Sequence, residues 1–206
     1  MQLLALILHF SYFRAFDIFR SGAQVAPATF DTHFQGFIVH GKGFKVYRSF
    51  GNVGKGCNVA IHSWLTELDG WYNETVNGHT LPDTIYYAID GGSENANDTT
   101  VGMAELLVCW GLTKKVVITR LPPGHTHNDI DGEFGVIWKH NWKKNILTPQ
   151  EQKAITLNAF KKSKDRGRVV DMIDVFAVPD YRGYLARCVN LKRAYQYKGH
   201  RYKTTQ

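Results

Sequence analysis

The chain has 206 residues, 44% of them hydrophobic, and a formal net charge of +7. This length suits one domain, or one domain with a tail, and the hydrophobic content is ordinary for a globular core. The sequence argues against a membrane span, because no apolar run reaches the roughly 18 residues required. It also argues against a disulfide framework or a zinc–cysteine cluster, because the three cysteines are far apart and form no Cys-x-x-Cys pair.

The charge is distributed unevenly along the chain. Residues 1–138 hold nine Lys/Arg and thirteen Asp/Glu, a net charge of −4, whereas residues 139–206 hold sixteen and five, a net charge of +11. A basic segment of this kind predicts a polyanionic partner, and we expect DNA. A solvated basic surface without a partner is the alternative.

The apolar residues 3–8 resemble the core of a signal peptide. No basic residue precedes them and no clear small-x-small cleavage site lies near Arg14, so we interpret them as the first strand of a core. We therefore expect a nuclear or cytoplasmic protein, not a secreted one.

Three strands are predicted first. Residues 3–13 are apolar and aromatic, as in a buried strand. The strands Phe34–His40 and Phe44–Phe50 are joined by the tight turn Gly41-Lys42-Gly43, which is the pattern of a β-hairpin.

Helices and strands then alternate. Asn58 is the predicted N-cap of a helix whose apolar residues recur at helical spacing, namely Val59, Trp64, Leu65 and Leu68. Next come the strand Thr84–Ile89, a helix from about Asp98 to Trp110, the strand 115–120 and a helix from about Asn128. Thr148-Pro149 begins another helix, and residues 169–178 fit either a helix or a strand.

The predicted order is strand, two-stranded hairpin, helix, strand, helix, strand, helix. It predicts an α/β domain with a mixed sheet, an N-terminal hairpin and flanking helices, in the three-layer layout of ribonuclease H-like proteins. An ordinary three-layer α/β domain is the alternative. We expect this domain to span residues 1–165 and to be truncated at its N-terminus, and residues 166–206 to form an extension with a basic, tyrosine-containing tail.

Asp90 ends the strand Thr84–Ile89 and opens a polar segment, Asp90-Gly-Gly-Ser-Glu-Asn-Ala-Asn97. Ligands collect at the carboxyl ends of strands in α/β folds, and Mg²⁺ prefers oxygen ligands. Asp90 is therefore predicted to be a catalytic acid and a Mg²⁺ ligand. Substrate-positioning side chains are predicted beside it, namely Glu94, Asn95 and Asn97. The alternative is a structural turn in which Asn97 or Asp98 caps the next helix.

A second polar cluster runs from His125 to Glu133, where a strand becomes a helix. Helical spacing puts Asp131 at the edge of the buried stripe, Glu133 on the other flank, and Asp129 pointing away. Asp131 is thus the better candidate for a catalytic acid and Mg²⁺ ligand, and Asp129 is the second choice. The helix macrodipole also favours acids in a first turn whatever their function. We expect strands ending at Asp90 and near Arg120 to be neighbours in one sheet, which would bring the two clusters together.

His125 and His127 would point the same way on an extended segment and could share a metal. A closed zinc site needs further ligands, and no other Cys or His pair has recognisable spacing, although folding could supply His40 or His62. We expect the two histidines to position substrate or a carboxylate instead.

The segment from Ala186 has six basic residues, no acidic ones, and three tyrosines among them. Phosphate contacts and base stacking suit this mixture. The predicted nucleic-acid-binding residues are Lys192, Arg193, Lys198, Arg201 and Lys203. A basic tail with no partner is the alternative.

Two blocks, I-D-G-G-S-E-N-A-N and L-P-P-G-H-T-H-N-D-I-D-G-E-F, carry a resemblance to a known family. Together with A-E-L-L-V between them and I-V-H-G-K-G upstream, they resemble an uncharacterised eukaryotic domain family that looks related to transposases and integrases. Its members carry a D-N/G-x-x-x-E-N-x-N block and a G-H-T-H-x-D-I-D block. The resemblance covers about residues 35–140.

The resemblance implies a ribonuclease H-like fold with acidic Mg²⁺ ligands, Asp90 on the central strand and Asp131, or else Asp129, on the following helix. Members generally have a further aspartate on the first strand, in a D-G-x-D-Q-like segment. The nearest counterpart here, Ser21-Gly22-Ala23-Gln24, lacks it, and Asp17 is a weak substitute. If active, such a protein would be a Mg²⁺-dependent nuclease or strand transferase.

Three functions are compatible with these patterns. The first is a transposase-derived domain that binds DNA and cleaves or joins strands at an incomplete Mg²⁺ site. The second is a non-catalytic DNA-binding remnant of such a domain. The third is a zinc- or iron-dependent small-molecule enzyme that uses His125 and His127.

Overall fold

The computed structural model describes residues 3–14, 31–53, 56–74, 76, 78–90, 92–120, 129–141, 144, 146, 148–161 and 169–188, without the side chains of residues 3–14, 31 and 169. The strands in these ranges are β1 (Leu3–Arg14), β2 (Asp31–Val39), β3 (Gly43–Phe50), β4 (Thr84–Ile89), β5 (Lys115–Arg120) and β6 (Val169–Val175). The helices are α1 (Cys57–Tyr72), α2 (Asp98–Cys109), α3 (Asp129–Asn141), α4 (Pro149–Lys161) and α5 (Tyr181–Arg187).

All of these strands form one mixed sheet in the order β5-β4-β1-β2-β3-β6. β1, β2 and β3 are antiparallel neighbours, whereas β4 runs parallel to β1, β5 parallel to β4, and β6 parallel to β3. The predicted mixed α/β architecture is confirmed. The pairing of Ile89 with Arg120 also confirms that the strand before Asp90 and the strand ending at Arg120 are neighbours.

The predicted hairpin joins β2 to β3. Lys42 N donates to Val39 O at 3.0 Å, and Gly41 has a φ of 83°, in the left-handed region that glycine adopts without a steric penalty. β2 begins at Asp31, three residues before the predicted start, and its residues from Thr32 to Val39 are all buried.

One face of the sheet is covered by α1, α2 and α5. The indole of Trp64 stacks on the ring of Tyr87 with centroids 4.4 Å apart, and both side chains are buried. Met103 and Leu107 of α2 and Leu185 of α5 belong to the same core. The apolar residues predicted at helical spacing in α1 and α2 therefore face this side of the sheet.

The opposite face is covered by α3 and α4. Ile130, Phe134 and Ile137 of α3 pack with Phe44 of β3 and Met172 of β6. Phe160 of α4 contacts the same core, its ring centroid 5.8 Å from that of Phe44. Helices on both faces complete three layers.

The described part of the C-terminal segment is built into this domain. Residues 169–175, which were compatible with a helix or a strand, form the edge strand β6 beside β3. α5 docks on α1 through Asn58, whose Nδ2 donates to Asp180 at 3.2 Å and whose Oδ1 accepts from Arg182 N at 2.9 Å. We expected the domain to end at residue 165 and a separate extension to follow. Instead, residues 169–175 pair with β3, which is more than a hundred positions earlier in the chain.

The prediction that Asn58 is the N-cap of α1 is wrong. The helix begins at Cys57 and its N-cap is Gly56, with a φ of 150°, so the cap lies two residues before Asn58. The predicted start of α4 is confirmed, because Thr148 Oγ1 accepts from Glu151 N at 3.1 Å directly ahead of Pro149.

Two buried ionic networks connect elements that are distant in the chain. Arg48 of β3, 1% exposed, makes a bidentate ion pair with Asp174 of β6 and donates to Pro149 O and Gln152 Oε1 of α4. On the other face, Lys45 pairs with the buried Glu67 of α1, which also accepts from the Tyr47 hydroxyl. Each buried charge thus has the hydrogen-bonding partners that burial demands.

No helix within the described ranges is long and apolar enough to cross a membrane.

Candidate functional site

The parallel strands β4 and β5 end side by side, and β1 runs in the same direction but continues beyond them to Arg14. Leu8 of β1 pairs with Ile89 of β4, and Ile89 pairs with Arg120 of β5. Asp90 is therefore the first residue beyond the middle strand of the three. Open α/β sheets bind ligands at such an edge.

The turn after β4 wraps around the carboxylate of Asp90. Its Oδ1 accepts from Gly92 N at 3.1 Å and from Asn95 Nδ2 at 2.6 Å. Asn95 N and Ala96 N both donate to Gly92 O, at 3.0 and 2.8 Å, which closes the turn. A Cβ atom on Gly92 would stand 3.2 Å from Asp90 Oδ1, so glycine gives the carboxylate room here.

The negative charge of Asp90 also affects the pKa of a buried tyrosine in the core, Tyr87. Burial, and then the negative charge of Asp90, raise the pKa of Tyr87 well above its usual value. The phenol of Tyr87 therefore stays protonated beneath the site.

Glu94 and Asn95 continue the turn with different environments. Glu94 is half-buried, and its Oε2 lies 3.7 Å from the Cβ position of Gly92, on the same side as Asp90 Oδ1. Asn95 is completely buried, and its Oδ1 has no hydrogen-bond partner among the described residues. Both are predicted to position substrate, and both lie next to Asp90.

Asn97 has a structural task. Its Oδ1 accepts from Thr100 N at 3.0 Å as the N-cap of α2, and its Nδ2 donates to Ser93 O and Glu94 O. The amide is fully used in holding the turn to the helix. The alternative, in which Asn97 caps the helix, therefore describes this residue, and substrate positioning by its side chain has no geometric support.

α3 carries three acids with different exposures. Asp129 is exposed, Asp131 is half-buried at the edge of the packed stripe, and Glu133 is 1% exposed. None of the three is without an interaction partner. Asp131 and Asp129 are thus oriented as the helical spacing predicts.

Glu133 is the acid that sequence reasoning underrates. Helical spacing places it only on the flank of the stripe, yet it is buried in the same row as Ile130, Phe134 and Ile137. The signal is present in the sequence, because Glu133 is three residues after Ile130 and four before Ile137, the two spacings that put side chains on one helix face. Glu133 follows the first-turn acids Asp129 and Asp131, and a buried carboxylate is a stronger site candidate than an exposed one.

Several predicted site residues lie outside the described part of the chain. These are His125 and His127, the counterpart segment 21–24 with Asp17, and the tail residues Lys192, Arg193, Lys198, Arg201 and Lys203. Within the described ranges, no three His, Cys, Asp or Glu side chains form a group that could hold a metal ion. The oxygen ligands near Asp90 still match the donor type that Mg²⁺ prefers, and the buried Oδ1 of Asn95 is an acceptor without a donor among the described residues.

A protein-family model matches most of the chain. Residues 24–206 match the family model described as "Domain of unknown function (DUF7869)". The chain belongs to this family. The match includes the Asp90 turn, α3 and the C-terminal segment, so the DUF7869 domain extends through β6 and α5. Neither the curated proteins nor the solved structures contain a match to the chain.

Proposed function

We propose that this DUF7869 domain is a transposase-derived, ribonuclease H-like domain that binds DNA and has an incomplete Mg²⁺-dependent site for phosphodiester cleavage or strand transfer. The observation that carries the proposal is the position of Asp90 at the carboxyl end of β4, beside the central strand β1, with the acids of α3 following the neighbouring strand β5. The resemblance implies an acid on the central strand itself and a second acid on a following helix, whereas Asp90 follows β4, the neighbour of β1.

The strand order supports the ribonuclease H-like part of the proposal. An antiparallel unit β1-β2-β3, followed by β4 and β5 parallel to β1 on its other side, matches the layout expected from the element order. β6 is an addition beside β3. A shared fold does not by itself imply a shared function, so the proposal depends on the positions of Asp90 and the acids of α3.

The residues that would hold Mg²⁺ are Asp90 and Asp131, with the buried Glu133 as a further carboxylate. Bound Mg²⁺ would supply Lewis-acid activation of a water or 3′-hydroxyl and stabilisation of the leaving oxygen of a phosphodiester. The donors Gly92 N and Asn95 Nδ2 hold the carboxylate of Asp90 in a fixed orientation. His125 and His127 remain candidates for positioning substrate.

One observation favours the second candidate, a non-catalytic DNA-binding remnant. β1 (Leu3–Arg14) contains no acidic residue. Its Leu8 pairs with Ile89, so the next position along β1, at the level of Asp90, is His9. Without a first-strand carboxylate, the ions must rely on water and substrate oxygens, and we expect weak binding and little or no cleavage.

The test compares Mg²⁺ titration calorimetry and nicking of supercoiled DNA for the native chain, Asp90→Ala and Asp131→Ala. We expect weak Mg²⁺ binding that both substitutions reduce, with DNA binding retained by all three proteins. Binding of DNA without measurable cleavage would support the remnant. Robust metal-dependent cleavage that survives both substitutions would show that the active site lies elsewhere, and absence of any DNA binding would reject both candidates.

A further inference from the structure

We propose that the outer side of β5 binds an extended, acidic segment of a partner protein, which joins the sheet as an added strand. The surface, here named the β5 edge, consists of that side of the strand and of four exposed side chains around it, namely Tyr86, Val108, Trp110 and Leu112. Addition of a peptide strand to a sheet edge is a common mode of recognition. The proposal does not depend on the proposed function, because it uses none of the acids at Asp90 or on α3.

The backbone of β5 offers hydrogen-bonding groups to a further strand. β5 is an end strand of the sheet, and no described strand pairs with its outer side. Lys115 N donates to Asp83 O at 3.0 Å, so the backbone groups of Lys115 point towards β4. The backbone groups of successive residues point to alternate sides of a strand, so Val117 also points towards β4. Val116 and Ile118 therefore present their N–H and C=O groups outwards.

The middle of β5 lacks the features that usually protect an edge strand. Val116, Val117 and Ile118 carry no charge, and the pairing with β4 continues from Lys115 to Arg120 without a bulge or a proline. The alternative is that the basic residues at the two ends of β5 prevent unwanted pairing. This alternative accounts for the two charges, but it gives no reason for the apolar side chains exposed around the strand.

Tyr86 is exposed on one face of the sheet beside β5. It pairs with Val117, and it points away from Ile85 and Tyr87, which lie in the core on the other face. β4 has a paired strand on each side, yet Tyr86 is 38% exposed, so the sheet is partly uncovered at this position. A strand added to β5 would extend this face and cover part of the phenol ring.

The other three exposed side chains lie on α2 and on the turn into β5. Trp110, 57% exposed, and Leu112 stand between the end of α2 and the start of β5. Val108 is six positions after Gly102, whose Cβ position is 3.7 Å from Leu185 of α5, so Val108 lies on a different side of the helix from the α5 contact. Tryptophan is enriched among the residues that dominate binding energy at protein interfaces.

Charge selects the type of partner. Lys114 and Lys115 lie at the start of β5 and Arg120 at its end, whereas Asp83 is paired with Lys114 in an exposed ion pair. Antiparallel pairing with β5 of a second copy in full register would put Lys115 opposite Arg120 at both ends, and like charges directly opposite are destabilising. An acidic segment has the complementary charge. Its backbone can also form a strand ladder along β5, which a nucleic acid cannot do.

Amide hydrogen exchange in the full chain, followed by NMR, tests the backbone part of the proposal. The amides of Val116 and Ile118 should exchange fast and that of Val117 slowly. The probe is a synthetic peptide of alternating valine and threonine with glutamate at both ends. At about ten times its Kd it should slow exchange at Val116 and Ile118 on the order of tenfold and leave Val117 unchanged. Slow exchange at Val116 and Ile118 in the chain alone would overturn the proposal, because the edge would already be occupied.

Fluorescence anisotropy of the labelled peptide tests the side chains. Trp110→Ala should raise the Kd on the order of tenfold. The matched control is Phe176→Ala, an exposed aromatic residue that follows β6 at the opposite end of the sheet, and it should leave the Kd unchanged. Lys115→Glu should reverse the preference towards a peptide with lysine at both ends, and Lys161→Glu on α4 should not. Absence of binding by the glutamate-ended peptide, or equal effects of Trp110→Ala and Phe176→Ala, would overturn the proposal.

Two further measurements identify the other possible occupants. A dimer in analytical ultracentrifugation that Ile118→Pro dissociates would show that a second copy occupies the edge, since proline removes an outward N–H group. A loss of affinity for duplex DNA in Lys115→Glu, with unchanged affinity for the peptide, would assign the surface to nucleic acid. Either result would overturn the proposal of an acidic peptide partner.

Discussion

The ring of Phe134 on α3 lies directly against the backbone of Gly36 on β2. A Cβ atom on Gly36 would stand 2.6 Å from Cε2 of Phe134 and 2.9 Å from Cε2 of Phe44, closer than real Cβ contacts. This contact lets α3 approach the sheet closely.

Gly36→Ala should destabilise the fold by overpacking this contact. We expect the free energy of unfolding to fall by about 1–3 kcal/mol in urea denaturation. The double variant Gly36→Ala/Phe134→Leu should lose less unfolding free energy than the sum of the losses in the two single variants. The control is Gly70→Ala in α1, where a Cβ would meet nothing within 4 Å and where alanine should be neutral or stabilising. Equal effects of Gly36→Ala and Gly70→Ala would contradict the close contact.

Arg48→Met should be among the most damaging substitutions outside the site. It leaves Asp174 without its bidentate partner and removes the donors to Pro149 O and Gln152 from a side chain that is 1% exposed. We expect the unfolding free energy to fall by about 3–5 kcal/mol. Lys114→Met is the matched control, since its ion pair with Asp83 at 2.8 Å is exposed on both sides, and the decrease there should be within about 1 kcal/mol. A small effect at Arg48 would show that β6 and α4 are held by apolar packing alone.

Stability should fall in alkaline solution because of Tyr47 and Tyr87. Burial, followed for Tyr47 by the charge of Glu67 and the hydrogen bond to it, raises the pKa of both phenols far above 10.0. Above pH 10 the unfolded chain releases these protons and the folded chain keeps them, so the unfolding free energy decreases by up to about 1.4 kcal/mol per pH unit for each phenol.

Chemical denaturation at several pH values between about 9 and 11 measures this slope. Tyr47→Phe should reduce the slope by the share of one phenol, and at neutral pH it should cost about 1–2 kcal/mol because Glu67 is deprived of a donor. A slope that Tyr47→Phe leaves unaltered would mean that its hydroxyl is not held protonated in the folded chain.

Neutralising the basic tail should weaken DNA binding. The variant Lys192→Gln/Arg193→Gln/Lys198→Gln/Arg201→Gln should lower the affinity for duplex DNA, because fewer counterions are released when fewer phosphates are neutralised. In fluorescence anisotropy, the slope of log affinity against log salt should flatten by about one unit for each phosphate that is no longer bound. The comparison is Lys114→Gln/Lys115→Gln, at the start of β5. An unchanged slope in the tail variant would show that the tail does not contact DNA phosphates.

Much of the architecture was determined by local sequence patterns. The turn at Gly41 allowed the hairpin of β2 and β3 to be predicted, Thr148-Pro149 marked the start of α4, and Asp90 was expected at the end of a buried strand. These features depend on side-chain periodicity and on the φ angles that glycine and proline allow, which neighbouring residues decide.

Other features were decided by tertiary structure, because they join residues distant in the chain. Asn58 looked like a helix cap, yet its amide binds Asp180 and Arg182 across the α1–α5 contact. Residues 169–175 were ambiguous alone and became a strand because β3 offered a free edge. Among the described residues, the acceptor of Asn95 that lacks a hydrogen-bond partner likewise depends on how the turn after β4 packs, since local periodicity cannot specify which polar atoms a distant element covers.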